Sequence, residues 1–420
     1  MSYWRTRMCL HTENKPIETE DIKIQCGIFQ GDSLSPLLFC IYLIPLTGQL
    51  NRLNKGYEEH TTKTKISHLL YMDDLKLIVK KEEELQKQIK IVKIFSDDIH
   101  MEFGLEKYIK IAFKRGKIVH LQNLVIDNNR EIQELEQGKT YKYLGIEESE
   151  GILHQQMKER LKQEYSRRLR MILKSELNAR NKITAIGALA VPVLRYILGI
   201  INRITEEIKK IDRKTRKMQT MYERHHPKAD IDRLYEERKE GGRGLVQIEA
   251  AYKAEIINIA EYLKTNYKED QFVNIVKSHE STQPNMNSII KTAAKIAEEL
   301  SQPNEKSDAK QDGIQHTEAI LGESLKKWKN KVMHGQCIRN IDRQLIGEED
   351  TFLWLSKGEL KAETESEIVA TQDQALQTKY YATKILNRET DSKCRLCQQF
   401  EETIDHIISA CPILAKEQYI

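Results

Sequence analysis

The chain has 420 residues, which is enough for two or three domains with their own apolar cores. Its 67 Lys and Arg residues nearly balance 63 Asp and Glu residues, so the net charge of +4 argues only weakly for nucleic-acid binding. The start of the chain lacks the apolar segment of a secretory signal, and seven mostly scattered cysteines are typical of reduced thiols. We therefore expect an intracellular protein that is not secreted.

A short, irregular segment (residues 1–25) leads into a polar loop that contains Gln30 and Gly31. Pro36 then suits the first turn of an apolar helix at 37–46. Backbone N–H groups at such a loop and helix start favour an anionic or base-bearing ligand. Taken by itself, the segment equally matches an ordinary helix start.

The next feature is the sequence Tyr71, Met72, Asp73, Asp74 between two apolar runs. Alternating apolar residues on both sides predict a β-hairpin with the two acids at its tip. Adjacent carboxylates repel each other unless a cation joins them, and Mg²⁺ prefers oxygen ligands of this kind. The pattern indicates a polymerase-type metal site; a solvated Asp-Asp turn is the alternative.

Residues 82–100 predict an amphipathic helix, followed by strand-like segments at 109–113 and 141–146, so residues 1–150 form a predicted α/β domain. The apolar side of the helix consists of Ile89, Val92, Ile94, Phe95 and Ile99.

Helical patterns dominate the rest of the chain. The apolar stretch at 183–204 is interrupted by Pro192 and Arg195, which predicts a buried helix pair or a kinked helix rather than a membrane span. Residues 266–325 are polar apart from a helix pattern at 289–300, and we expect a linker or a loosely packed insert there. Residues 326–390 return to helix, with Trp328 and Trp354 as core residues.

Three basic runs, at 107–117, 167–170 and 209–217, could neutralise phosphates. Each could equally be a solvated helix face.

The C-terminal segment contains Cys394, Cys397, His406 and Cys411, spaced C-x2-C-x8-H-x4-C. Three thiolates and one imidazole make a closed tetrahedral set for a structural Zn²⁺. Residues 403–409 can form a short helix that presents His406. The alternative is a small helical hairpin with reduced cysteines.

The Gln30-Gly31 loop followed by the Asp73-Asp74 hairpin resembles the reverse transcriptase of non-LTR retrotransposons, of the site-specific class with a restriction-like endonuclease. Segments at 191–196, 225–230, 241–245 and 334–336 support the resemblance, which covers most of the chain except 266–325. The implied fold is an α/β (α+β) partial palm followed by mostly α-helical regions and a small zinc knuckle. The implied domains are the palm (1–150), a helical thumb and extension (151–265), the linker (266–325), a helical linker region (326–390) and a CCHC zinc knuckle (391–420).

The resemblance also implies partners and residue roles. The partners are an RNA template, a DNA primer or target, and deoxynucleotides; the cofactors are Mg²⁺ and Zn²⁺, and the location is nuclear. Asp73 and Asp74 would serve catalysis and Mg²⁺ binding, and Lys107, with Lys110 as its rival, would stabilise pyrophosphate. The residues that would contact the nucleotide or template are Gln30, Gly31, Tyr71 and Met72. The residues that would place the primer end are Tyr143, Leu144 and Gly145.

The family's first catalytic motif, with a third acid, is expected before Gln30. The acids there are Glu13, Glu18, Glu20 and Asp21, in a polar segment without the expected strand. We therefore expect an N-terminally truncated polymerase fragment without its endonuclease domain, inactive alone. The alternatives are a non-catalytic RNA- or DNA-binding protein that uses basic helices and a zinc knuckle, and an inert relic.

Overall fold

A computed structural model of the protein divides into two compact units, residues 1–152 and residues 153–420. Gln30 and Lys107 lie outside the residues that it describes. The described residues are 5–11, 15–23, 27, 31–101, 108–127, 130–136, 138–201, 205–284, 288–300, 325–342 and 347–418.

The first unit mixes helices and strands, as the sequence predicted. Its described strands pair in seven small sheets. The expectation that residues 1–25 are irregular is wrong for the described part, because two antiparallel strand pairs form there. The helices are α1 (Ser35–Arg52) and α2 (Glu82–Asp98), and the strands are β1 (Arg5–Thr6), β2 (Cys9–His11), β3 (Pro16–Glu18), β4 (Ile22–Lys23), β5 (Tyr57–Glu58), β6 (Lys65–Ile66), β7 (His68–Tyr71), β8 (Asp74–Leu77), β9 (Ile109–Lys110), β10 (Ala112–Lys114), β11 (Lys117–Val119), β12 (Leu124–Asp127), β13 (Arg130–Glu134), β14 (Tyr141–Tyr143) and β15 (Ile146–Glu148).

The core of this unit lies between α1, α2 and the β7–β8 hairpin. Leu46 and Leu50 of α1 pack with Val92 and Phe95 of α2 beneath the apolar side chains of the hairpin. Ile94, which we expected on the buried face of α2, is 50% exposed. A residue two positions from Val92 points to nearly the opposite side of a helix, so burial of Val92 turns Ile94 towards solvent.

The second unit is helical. Its larger core joins α3, α5, α6, α8 and α10. The region from Ala179 to Leu198 continues through a π-helical turn, Ile186–Ala190, and is long and apolar enough to cross a membrane by length and composition, although 44% of it is buried in the protein. The helices are α3 (His154–Lys174), α4 (Ala179–Ala185), α5 (Val191–Leu198), α6 (Thr205–Met221), α7 (Ile231–Tyr235), α8 (Ile248–Asn266), α9 (Gln271–Thr282) and α10 (Ile289–Leu300).

Within the predicted linker, the helix pattern at 289–300 is confirmed by α10, whereas the expectation of a linker or loosely packed insert is wrong for residues 271–282, which form α9. Ala293 and Ile296 lie on one side of α10 and are buried in the larger core. The Asp270 carboxylate accepts hydrogen bonds from the backbone of Phe272 and Val273 and so caps α9. Residues 301–324 of the predicted linker lie outside the described part of the chain.

A smaller core lies in the C-terminal half of this unit. Trp328 is fully buried there beside Phe352, and Trp354 packs at its edge, so both tryptophans contribute to a core as predicted. The remaining helices are α11 (Gln336–Asp342), α12 (Glu348–Thr351), α13 (Leu353–Lys357), α14 (Ala362–Gln372), α15 (Lys379–Lys384) and α16 (Pro412–Gln418), with a π-helical turn at His406–Ala410.

Candidate functional sites

The structure places the two predicted acids at the tip of the β7–β8 hairpin. Tyr71 pairs with Asp74, which leaves Met72 and Asp73 as the two loop residues. Met72 has a φ of 53°, a left-handed conformation that is uncommon for a residue with a side chain. Both aspartates are exposed, so their carboxylates are accessible to a cation.

Apolar packing along the hairpin holds this tip in place. Leu70, Leu75 and Leu77 pack against the core formed by α1 and α2. Near the tip, the Cys40 thiol of α1 lies 3.7 Å from the Met72 sulfur. Because side chains alternate between the two faces of a strand, Asp74 projects from the face opposite Leu75.

A second hairpin, β14–β15, lies close to the acids. Its loop residues Leu144 and Gly145 have φ of 47° and 79°, a pair of left-handed residues typical of two-residue hairpin loops. Burial raises the pKa of Tyr143, and the negative charge of Asp74 raises it further. The same two causes raise the pKa of Tyr141. The tyrosines of the predicted primer-end segment therefore lie within electrostatic range of Asp74.

The aspartates form only part of a metal-ligand set in the described chain. A two-metal site needs enough oxygens to hold both ions, yet no cluster of three acidic, histidine or cysteine side chains among the described residues includes Asp73 or Asp74. Gly31, with a φ of 99°, is the only residue of the predicted Gln-Gly pair that is described. The Gln30 and Lys107 predictions lie outside the described residues.

Lys110, the rival candidate for pyrophosphate, is a structural residue instead. It is only 7% exposed. Its ammonium group lies 3.2 Å from a Glu82 carboxylate oxygen and 3.6 Å from one of Glu134, and it also donates to the Gln122 carbonyl. A buried lysine needs such partners, so this side chain cannot serve a phosphate without losing them.

The four predicted zinc ligands come together at the C-terminus. One ligand atom from each of Cys394, Cys397, His406 and Cys411 lies within 4.8 Å of the others. His406 begins the π-helical turn, and its Nε2 is 3.3 Å from the Cys397 sulfur. Three sulfurs and one nitrogen at this spacing fit a tetrahedral Zn²⁺ site.

Glu402 stabilises the backbone around this cluster through hydrogen bonds. Its carboxylate accepts hydrogen bonds from the Arg395 backbone and guanidinium, and from the backbone N–H of Lys379 at the start of α15. The Arg395 side chain, followed by the backbone donors, lowers the pKa of Glu402 to about 2. Arg395 is therefore paired with Glu402 and helps to fix the Cys-x2-Cys turn.

The second unit contains a buried ionic network that the sequence predictions did not include. Arg233 is fully buried, and its guanidinium lies 2.7 Å from the Asp373 carboxylate and 4.9 Å above the Trp328 ring. Asp230 accepts a hydrogen bond from Lys331 and lies 3.0 Å from the His334 ring nitrogen. Two segments that we noted only as family resemblances, at 225–230 and 334–336, thus meet in space.

The glycine-rich segment at 241–245 belongs to the same region. Arg243 is buried and pairs with Glu365 at 2.9 Å. A Cβ on Gly242 would lie 2.1 Å from the Glu236 carbonyl oxygen, so this position admits only glycine. The adjacent glycines are the sequence signal for this close approach, although the segment was noted only for its family resemblance.

Positive charge on α6 is concentrated along one side. Lys210, Arg213, Lys214 and Lys217 are all exposed, and their spacing of three or four residues places them on one helix face. We call these four residues the α6 stripe. Arg213 lies 3.9 Å from Glu206, and the three lysines have no acidic partner in the described part of the chain.

Other basic residues are neutralised locally, since Arg167 and Arg168 of α3 both bind Glu164, at 2.8 and 2.7 Å.

Two lysines of the α6 stripe, Lys210 and Lys214, also line a cleft of about 210 Å³ with Lys162 and Ser166 of α3.

Comparison with known proteins agrees with these features. Residues 2–147 match the family model described as reverse transcriptase (RNA-dependent DNA polymerase). Over 238 residues the chain is 29% identical to a protein of Popillia japonica named retrovirus-related Pol polyprotein from type-1 retrotransposable element R2. That match covers 55% of this chain and 38% of the relative, so the chain spans well under half of the relative's length. Residues 2–147 are therefore similar to a reverse transcriptase domain, and the longer match is to a retrotransposon polyprotein.

Proposed function

We propose that Asp73 and Asp74 provide two carboxylates of the Mg²⁺ site of an RNA-directed DNA polymerase, within a retrotransposon Pol polypeptide. The observation that carries this proposal is the placement of both acids, exposed, at a hairpin tip inside the segment that matches the reverse transcriptase family. The substrates would be an RNA template, a DNA primer and deoxynucleotides.

Each part of the site has a distinct task. Bound Mg²⁺ would supply charge neutralisation at the transferred phosphate. Asp73 and Asp74 would hold the ion, and the turn at Leu144 and Gly145 would border the primer end. The partly buried leucines of the hairpin keep its tip in position against α1 and α2. Within the described residues no third carboxylate joins Asp73 and Asp74 to hold a second ion, so we expect the 420-residue chain to be inactive by itself.

Primer extension tests this function. The purified chain is given an RNA template with an annealed DNA primer, deoxynucleotides and Mg²⁺, beside the Asp73→Ala variant. We expect no extension above a protein-free control. Extension by the wild type that Asp73→Ala abolishes would confirm the polymerase assignment and show that our expectation of inactivity is wrong. Extension that Asp73→Ala leaves unchanged would contradict the assigned role of this acid.

We further propose that Cys394, Cys397, His406 and Cys411 bind a structural Zn²⁺ as a CCHC knuckle. The convergence of four soft donors and the support from Glu402 favour this assignment. With four protein ligands, no position remains for a substrate, so the metal would stabilise the C-terminal segment rather than catalyse a reaction.

A second candidate function is RNA or DNA binding without catalysis. The α6 stripe favours it, because its three lysines are exposed and have no acidic partner among the described residues, whereas Arg167 and Arg168 are neutralised by Glu164. Protein cations that contact phosphates release counterions, so affinity falls as salt rises.

A salt series with matched variants tests this candidate. We expect the Lys210→Gln/Lys214→Gln/Lys217→Gln variant to lower the salt slope by about 0.9 for each lost phosphate contact on duplex DNA. The control Arg167→Gln/Arg168→Gln removes two paired charges and should change the slope little. Equal slopes in all three proteins, or no binding by the wild type, would contradict this function.

A further inference from the structure

We propose that Lys76 is a positioning residue that holds the β14–β15 turn beside Asp74. This inference rests on the proposed metal-binding role of the aspartates. It assigns to Lys76 the task of fixing the distance between the metal-binding tip and the segment that would place the primer end.

The contacts of Lys76 join the two hairpins directly. Its ammonium nitrogen lies 2.6 Å from a Glu148 carboxylate oxygen of β15. The same nitrogen lies 4.8 Å from the centre of the Tyr143 ring of β14, within the range of a cation–π contact. One side chain of β8 therefore contacts both strands of the neighbouring hairpin.

Strand geometry places this contact on the side of the acid. Asp74 and Lys76 are two residues apart in β8 and so share a face, while Leu75 and Leu77 point to the core of α1 and α2. On the other hairpin, Glu148 is opposite Tyr141, and Tyr143 is next to the loop. Anchoring Glu148 and Tyr143 to Lys76 therefore sets the loop near Asp74.

Backbone hydrogen bonds between strands do not fix the β14–β15 loop relative to Asp74. The β7–β8 and β14–β15 hairpins form two separate two-stranded sheets, with no β-ladder between them in the described chain. Side-chain contacts must therefore contribute to their relative placement. A partly exposed ion pair adds little to stability, so removal of Lys76 should leave the fold intact while the loop gains freedom relative to Asp74.

Fluorine NMR of the full chain labelled with 3-fluorotyrosine tests the inference. The Tyr143 signal is assigned with Tyr143→Phe, and Mn²⁺ serves as the probe at Asp73 and Asp74, because paramagnetic broadening depends steeply on distance. We expect Mn²⁺ to broaden the Tyr143 signal in the wild type. In Lys76→Met, at equal Mn²⁺ occupancy, we expect this broadening to fall at least threefold.

Three further variants make the result specific. Lys76→Arg retains a cation and should preserve the broadening. Glu148→Gln removes the other half of the ion pair and should reduce it, which provides a second route if Lys76→Met does not fold. Lys80→Met removes an exposed lysine that lies 3.7 Å from Glu58 and should change nothing. Thermal unfolding of each variant establishes that the fold is retained.

The outcomes separate the two claims. Unchanged Tyr143 broadening in folded Lys76→Met and Glu148→Gln would overturn the positioning role and leave the metal-binding proposal standing. Absence of any Mn²⁺ effect on wild-type Tyr143, with no Mn²⁺ bound, would contradict the proposed metal site, and the positioning role would fall with it.

Discussion

At the residue scale, the second unit contains two distinct side-chain clusters, the cysteine–histidine group at the C-terminus and the buried Arg233–Asp373 ion pair. Cys394, Cys397, His406 and Cys411 lie in one short segment, so their convergence could be predicted from ligand spacing. Arg233 and Asp373 are 140 positions apart. Charged side chains are usually exposed, so nothing at either position indicates a fully buried pair.

His225 should make the stability of the protein depend on pH. Burial, followed by the positive charge of Arg243, lowers its pKa from 6.5 to about 3. Below about pH 6.5 this histidine is therefore protonated in the unfolded chain but stays neutral in the folded chain. The free energy of unfolding consequently falls as the pH drops from 6.5 towards 3. The expected loss from this group is about 1.4 kcal/mol for each pH unit.

Chemical denaturation between pH 7 and pH 5 measures this dependence. His225→Gln removes the titrating group and should flatten the curve, whereas His120→Gln, on an exposed histidine, should keep the wild-type slope. A wild-type slope in His225→Gln would contradict the prediction.

Gly242 should be intolerant of any side chain. Because an added Cβ would meet the Glu236 carbonyl oxygen at 2.1 Å, Gly242→Ala must shift the backbone, at a cost of about 1–3 kcal/mol in unfolding free energy. At Gly187 the nearest atom would be 3.5 Å away, so Gly187→Ala is the matched control and should be nearly neutral. Denaturant unfolding compares them, and equal stabilities would refute the close approach at Gly242.

At the element scale, periodicity predicted the elements that have one apolar face. The acid-bearing hairpin and α2 follow from alternation and from helical spacing, respectively. Helix α9 was missed because its sequence is polar and its buried apolar residues are few, chiefly Val273 and Ile275. Its N-cap Asp270 and its packing on α8 stabilise it, and such tertiary support is not visible in a local pattern.

The C-terminal element should depend on zinc. We expect about one Zn²⁺ per wild-type chain, because the cluster offers a single tetrahedral set of donors. Cys394→Ser should lose the metal and speed amide hydrogen exchange across residues 391–418, since metal binding and local folding are coupled. Metal analysis and hydrogen exchange measure these effects.

The control is Cys9→Ser, which changes an exposed cysteine of the other unit and should retain both zinc and exchange protection. The zinc assignment would fail if the wild type held no stoichiometric zinc and Cys394→Ser left the exchange of this segment unchanged.

At the scale of the whole molecule, composition concealed the distribution of charge. The net charge of +4 suggests little, yet the structure pairs many cations locally and leaves the lysines of the α6 stripe exposed on one face. Likewise, the sequence predicted an α/β first domain, but not that its described strands would pair in separate small sheets. Which strands pair in one sheet depends on contacts between strands that are distant in sequence, and the local alternation of apolar and polar residues does not specify those contacts.

The proposed metal-binding role of Asp73 and Asp74 is tested by Mn²⁺ titration of the full chain, followed by electron paramagnetic resonance. We expect one Mn²⁺ site at the hairpin tip that disappears in Asp73→Asn/Asp74→Asn. It should persist in Asp97→Asn/Asp98→Asn, which alters an equally exposed acid pair at the end of α2. Equal Mn²⁺ binding by all three proteins would contradict the claim.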